Sequence, residues 1–177
     1  MTTENHAEKQ ARAQVESIVA MVAALECDYA RLDELRGMRA MRAEFVYEYC
    51  AATGAETTAA QKTWVAEFTA ASTELEELEA AAGNCTSEDE AREAIEQGPL
   101  AVEVRSNWHA PGEPGEPEEF RIVLCTGGPH VEIVGDLDRG EPSRPRILYR
   151  DWGTSGELFD FDREAVLTYC RVFYFGE

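Results

Sequence analysis

Along residues 5 to 50, apolar side chains recur at Val15, Ile18, Val22, Leu25, Tyr29 and Leu32, in steps of three or four residues. That spacing lays a stripe along one side of a helix and suits packing against a second helix. Leu35, Met38, Met41, Phe45 and Tyr49 carry the apolar face past Gly37, the only helix breaker in the stretch. One long helix is expected, weakened or bent at Gly37, since glycine costs about 1 kcal/mol relative to alanine in a helix.

The segment AATGAETT (51 to 58) reads as a turn that contains a helix start. Beyond it Val65, Phe68, Ser72, Leu75, Leu78 and Ala82 again step by three or four. The two stripes predict an antiparallel, coiled-coil-like hairpin. So narrow a hairpin buries little alone and is expected to rest on the C-terminal part or on a second copy. Gly83 and Asn84 end the second helix, and Ser87 with Glu90 has capping-box spacing for a short third helix that runs to about Gln97.

From residue 100 the period changes from helical to alternating. LAVEVRSNW (100 to 108), EFRIVLC (119 to 125), HVEIVGDL (130 to 137) and PRILYRDW (145 to 152) are four candidate strands. APGEPGEPEE, TGGP and DRGEPS supply the turns of an antiparallel meander. Asp162 is placed to cap a final helix, REAVLTYCRVF, whose Ala165, Val166, Tyr169, Cys170 and Phe173 share one face. The expected class is α+β: a helical hairpin over 1–82, a linking helix over 83–98, and a small domain over 99–177 with a four-stranded antiparallel sheet and a C-terminal helix. The final helix should cover one face of the sheet and the N-terminal helices the other.

Charge changes this picture of an ordinary fold. The 177 residues carry 35 acids against 16 bases, a formal charge of −19. Such a field repels nucleic acids and anionic membranes and favours a protein partner with a basic surface. The excess is concentrated in residues 51 to 98, with 11 acids and 2 bases. Glu74, Glu76, Glu77 and Glu79, then Glu88, Asp89, Glu90, Glu93 and Glu96, form the candidate acidic binding surface. A solvated face that only keeps the chain dispersed explains the same run. No stretch approaches the roughly 18 apolar residues of a membrane span, and MTTENHAEKQ lacks the features of a signal peptide, so a cytoplasmic location is expected.

Catalytic patterns are sparse. Five scattered cysteines without a C-x-x-C pair fit reduced thiols, and three isolated histidines without H-E-x-x-H give no metal site. No cofactor, metal or catalytic set is expected. The nearest catalytic constellation is Cys125 and His130 across the TGGP turn, with Asp151 on a neighbouring strand. Asp136 with Asp138 and Asp160 with Asp162 sit beside turns, where aspartate is expected to cap backbone. The last third is rich in aromatics, and strand alternation should bury about half of them. The core is the ordinary home for either Trp108 or Trp152; as flanks of loops they are instead candidates, with Arg105 and Arg150, for a binding rim. The tail FYFGE reads as docked.

The strings VEVRSNWHAPGEPGEPEEFRIVLCTGGPHVEIVGDL, ILYRDWGTSGEL and YFGE resemble a family of uncharacterised proteins encoded by tailed bacteriophages and prophages. The likeness covers roughly residues 83 to 177 and, more weakly, the first helix. It implies a small phage protein acting inside a bacterial cell, and it supplies no activity or catalytic residues. With the charge, it makes the expected function binding and modulation of a host protein, with anti-CRISPR or anti-restriction inhibition by nucleic-acid mimicry as one form. The alternatives are a structural or assembly protein that forms a homodimer through its helical hairpin, and a cryptic enzyme using Cys125, His130 or Asp151.

Overall fold

The computed structural model describes residues 5–39, 59–113 and 115–176, with backbone alone for 59–69. Among the described residues, five helices, α1 (His6–Leu25), α2 (described over 29–39), α3 (Ala59–Ala82), α4 (Glu88–Gln97) and α5 (Arg163–Arg171), accompany five strands. The strands are β1 (Ala101–Ser106), β2 (Pro117–Cys125), β3 (His130–Asp138), β4 (Glu141–Asp151) and β5 (Thr154–Leu158). The class is α+β, and the sheet is an antiparallel meander of order β1-β2-β3-β4-β5. It has one strand more than the sequence predicts: TSGEL is short, polar and glycine-containing, and it is recruited by pairing Ile147–Asp151 of β4 with Thr154–Leu158.

The chain forms two compact units, Met1–Val22 with Asp89–Glu177, and Ala23–Glu88. The division expected at 82 and 98 therefore falls elsewhere. Residues of the first helix belong to the unit that holds the sheet, and most of α4 does too.

The expected continuous helix is broken at 26–28, ahead of Gly37. Asp28 accepts a hydrogen bond from Arg31 N at 2.9 Å, as the N-cap of α2. The Tyr29 hydroxyl donates to the Ala24 carbonyl at 2.8 Å, satisfying an acceptor left open at the end of α1. Gly37 itself lies within helix. In this unit Leu32 and Leu35 of α2 share one buried cluster with Leu75 and Ala82 of α3, so a packed helix pair exists, built from α2 and α3. Met41, Phe45, Tyr49 and the turn at 51 to 58 lie outside the described residues. Gly83, at φ 57, ends α3 in the left-handed conformation that glycine adopts without strain.

In the sheet unit, alternation sorts side chains onto two faces. One face is apolar: Ile122, Ile133, Ile147 and Leu158 stand side by side across four strands, all buried. Phe120 lies opposite Gly135, where an added Cβ would stand 2.5 Å from the phenyl ring, so only glycine leaves room for it. Helix α5 packs against β4 with Val166, Tyr169 and Cys170 buried, and Asp162 caps it by accepting from Ala165 N at 3.0 Å. Phe175 closes the layer against Phe120, their centroids 5.0 Å apart, so the tail expected to dock does so through Phe175, while Tyr174 beside it is exposed.

The β3–β4 connection is a two-residue turn, Arg139 and Gly140 at φ 54 and 82, between paired Asp138 and Glu141. Both positive φ values match the primed turn whose twist suits a hairpin. Just beyond it the register shifts: Arg144 and Pro145 occupy the span opposite Gly135. Prolines 142 and 145 both precede the stretch of β4 that pairs with β5, so their missing N–H groups break no ladder bond on that side.

Candidate functional site

The second face of the sheet is the side expected to carry the N-terminal helices. Instead it is charged and largely accessible among the described residues. Its alternate positions are Glu103 and Arg105 on β1, Glu119 and Arg121 on β2, His130, Glu132 and Asp136 on β3, and Arg146 and Arg150 on β4. Opposite charges meet directly across strands: Arg121 pairs with Glu103 and Arg105 with Glu119. Arg144 reaches Asp136 at 3.3 Å. Such cross-strand pairs hold the register as well as the charge.

Glu132 is the centre of the array and the only buried charged residue described, at 7% exposure. A buried carboxylate is costly unless it is paired. Here His130 Nε2 stands 3.0 Å away, Arg150 Nη2 3.5 Å and Arg121 Nη1 3.9 Å. Arg150 Nη2 also lies 3.0 Å from His130 Nε2. Guanidinium only donates, so Nε2 either accepts from Arg150 or donates to Glu132, and the two contacts are alternatives of one ring nitrogen. A groove of about 500 Å³ runs along this face between Arg105, Glu119, Arg121, Val134, Asp136 and Arg146.

The sequence candidates are distributed differently. Arg105 and Trp108 lie toward the end of the sheet where Glu119 meets Asp136, whereas Arg150 pairs with His130 at the opposite end, next to Trp152. Both tryptophans are fully exposed, so neither is core, yet the register keeps them from forming one rim. Cys125, His130 and Asp151 each engage other groups. The Cys125 thiol donates to Pro129 O at 3.6 Å, and burial pushes its pKa up, away from the thiolate that nucleophilic attack requires. His130 is held by Glu132 and Arg150, and Asp151 accepts from Trp152 N at 2.9 Å. No group of three or more histidine, cysteine or acidic side chains placed to hold a metal occurs among the described residues.

The acids of residues 74 to 96 also divide. On α3, Glu74 receives both Nε and Nη2 of Arg31, at 2.7 and 2.8 Å, and Glu79 is met by Arg36 at 3.3 Å and Arg39 at 3.8 Å. The hydrogen bonds from Arg31 hold the Glu74 carboxyl below its usual range. Glu76 and Glu77 are exposed. On α4, Ala91 and Ile95 are buried while Glu88, Asp89, Glu90, Glu93 and Glu96 are all exposed. The α3 acids belong to one compact unit and Asp89 to Glu96 to the other.

Sequence reasoning passed over Glu132, Arg121, Glu103 and Glu119 because attention to apolar positions in EFRIV and HVEIV discards the alternate ones. The signal was present: charged residues of opposite sign at every second position of adjacent strands.

The architecture is thus an α+β protein with a helix-backed antiparallel sheet whose other face is a lattice of ion pairs. Comparison with protein-family models, curated proteins and solved structures returns no match to this chain. No described helix is long and apolar enough to cross a membrane.

Proposed function

We propose that this chain is an acidic binding protein, a phage accessory factor of the kind its C-terminal block resembles, which docks on a basic surface of a host protein and blocks it. The observation that carries the reading is α4. Its apolar residues Ala91 and Ile95 point inward, and its exposed carboxylates include Asp89, Glu93 and Glu96, spaced to share one side of the helix. Glu74 and Glu79 on α3 carry arginine partners and offer less uncompensated charge. A groove that reads nucleic-acid phosphates is the target class that such a stripe complements, and a host defence nuclease is one owner of such a groove.

The assembly alternative has less support. The apolar stripe it needs is used within the chain, where Leu32 and Leu35 meet Leu75 and Ala82. The test is affinity capture from an infected host, comparing the native chain with Asp89→Asn/Glu93→Gln/Glu96→Gln. A basic protein held at low salt, released by duplex DNA and lost with the triple variant supports the reading. Identical capture by both chains overturns it.

A further inference from the structure

β1 is the outermost strand of the sheet, paired on one edge with β2 and on the other with no described strand. Its apolar-face side chains are left partly in solvent, Val102 at 38% and Val104 at 46% exposure, and Leu100 just before it is at 60%. Open edges with apolar side chains are templates for strand addition unless something blunts them.

The turns fix which backbone groups that edge offers. Asp151 and Thr154 flank a two-residue turn and so form a hydrogen-bonded pair, which turns the odd positions of β4 toward β5 and the even ones toward β3. Carried across the ladder, Ile122 bonds with Ile133, and Arg121 and Glu119 with Glu103 and Arg105. The backbone groups of Val102 and Val104 are therefore the ones that face the open edge.

The sequence of this edge is complementary to itself. We propose that two copies of the chain associate through antiparallel β1–β1 pairing about a two-fold axis at Val104. In that register Val104 exchanges both backbone hydrogen bonds with its own copy. Glu103 of each chain lies opposite Arg105 of the other in the pairs without hydrogen bonds, where side chains stand closer together. An isologous contact of this kind closes after two subunits.

The ion-pair lattice supports the same register. Within one chain Arg121 pairs with Glu103 and Glu119 with Arg105. Across the two-fold axis each row continues as Arg121, Glu103, Arg105, Glu119, with the last two from the second copy, so the signs alternate throughout. Shifting the register by one residue would send the charges of one copy to the apolar face of the other. Moving the axis by one residue instead, to Glu103 or to Arg105, would set that charge against its own copy, and like charges directly opposite destabilise a sheet. A pair of six-residue strands belongs to the small interfaces, below about 1,200 Å² in total, so the dimer should be reversible and concentration-dependent.

Sedimentation velocity on the full chain, over a wide concentration range, tests this with two exposed charge reversals. Glu103→Lys sets a cation opposite Arg105, and Arg105→Glu sets a carboxylate opposite Glu103, so each variant alone should be monomeric where the native chain dimerises. Mixed in equal amounts, the two variants restore opposite charges at both contacts across the two-fold axis and should associate again, while circular dichroism confirms that each is folded. A native chain that stays monomeric throughout overturns the proposal. So do single variants that dimerise like the native chain, which would place the contact elsewhere, and a mixture that fails to associate.

Discussion

Arg31 forks onto Glu74 from 43 positions away in sequence, Nε to Oε1 and Nη2 to Oε2, and this pair ties α2 to α3 beside their shared leucine core. Both side chains are more than a third exposed, so the pair is screened and contributes modestly.

Glu74→Gln should lower the unfolding midpoint of the chain slightly, and the difference should shrink as salt is added. The pH dependence has a definite sign. Because the folded-state pKa of Glu74 is lowered, its contribution is present above the ordinary value of 4.5 and is lost as pH falls below it. Thermal melts of native and variant chains should therefore converge in acid.

Gly135→Ala should destabilise the sheet unit by about 1–3 kcal/mol, the usual range for overpacking. The new methyl would meet the Phe120 ring at 2.5 Å and the Ser143 carbonyl at 2.6 Å, and the carbonyl is backbone that cannot swing away. Urea denaturation measures the loss, and Phe120→Leu in the same chain should recover part of it.

Arg139→Asn should stabilise the protein by about 1 kcal/mol, because asparagine enters the left-handed region more readily than other non-glycine residues. Arg139 holds φ 54 in the first central position of the β3–β4 turn, and the substitution creates the Asn-Gly pair that this turn favours. A rise in the urea midpoint at unchanged slope is the expected result.

The Cys170 thiol is fully buried, and burial pushes its pKa up to about 12. A thiol reagent at pH 8 should label Cys170 only as fast as the chain unfolds, with full labelling in urea, as read by mass spectrometry. The raised value also means that this site's contribution to stability is present below the ordinary 9.0 and declines as pH rises above it.

The elements with strong periodicity were legible in the sequence. The stripe through Val15, Ile18 and Val22 and the alternation through Phe120, Ile122 and Leu124 mark residues that are buried. The break at 26–28 was not legible, because the heptad spacing runs on across it from Val22 to Tyr29 without a glycine or proline. Only the Asp28 side chain, capping Arg31 N, records the restart. β5 was hidden for the opposite reason, since Thr154, Ser155 and Gly156 carry no apolar pattern and become a strand only by pairing with β4. At the candidate site, single charges such as Glu132 were visible, but their meeting depends on strand register, which turns and bulges set.

The chain leaves the sheet unit after Val22 and returns to it at Asp89. The helical unit is therefore a guest inserted in a host domain whose own sequence is discontinuous. A fragment beginning at residue 89 or 99 would lack Ala7, Ala11 and Ile18, which are all but fully shielded from solvent in the complete chain. The minimal folding unit of the sheet is thus reached by excising the middle of the gene, whereas trimming from the front would remove part of it.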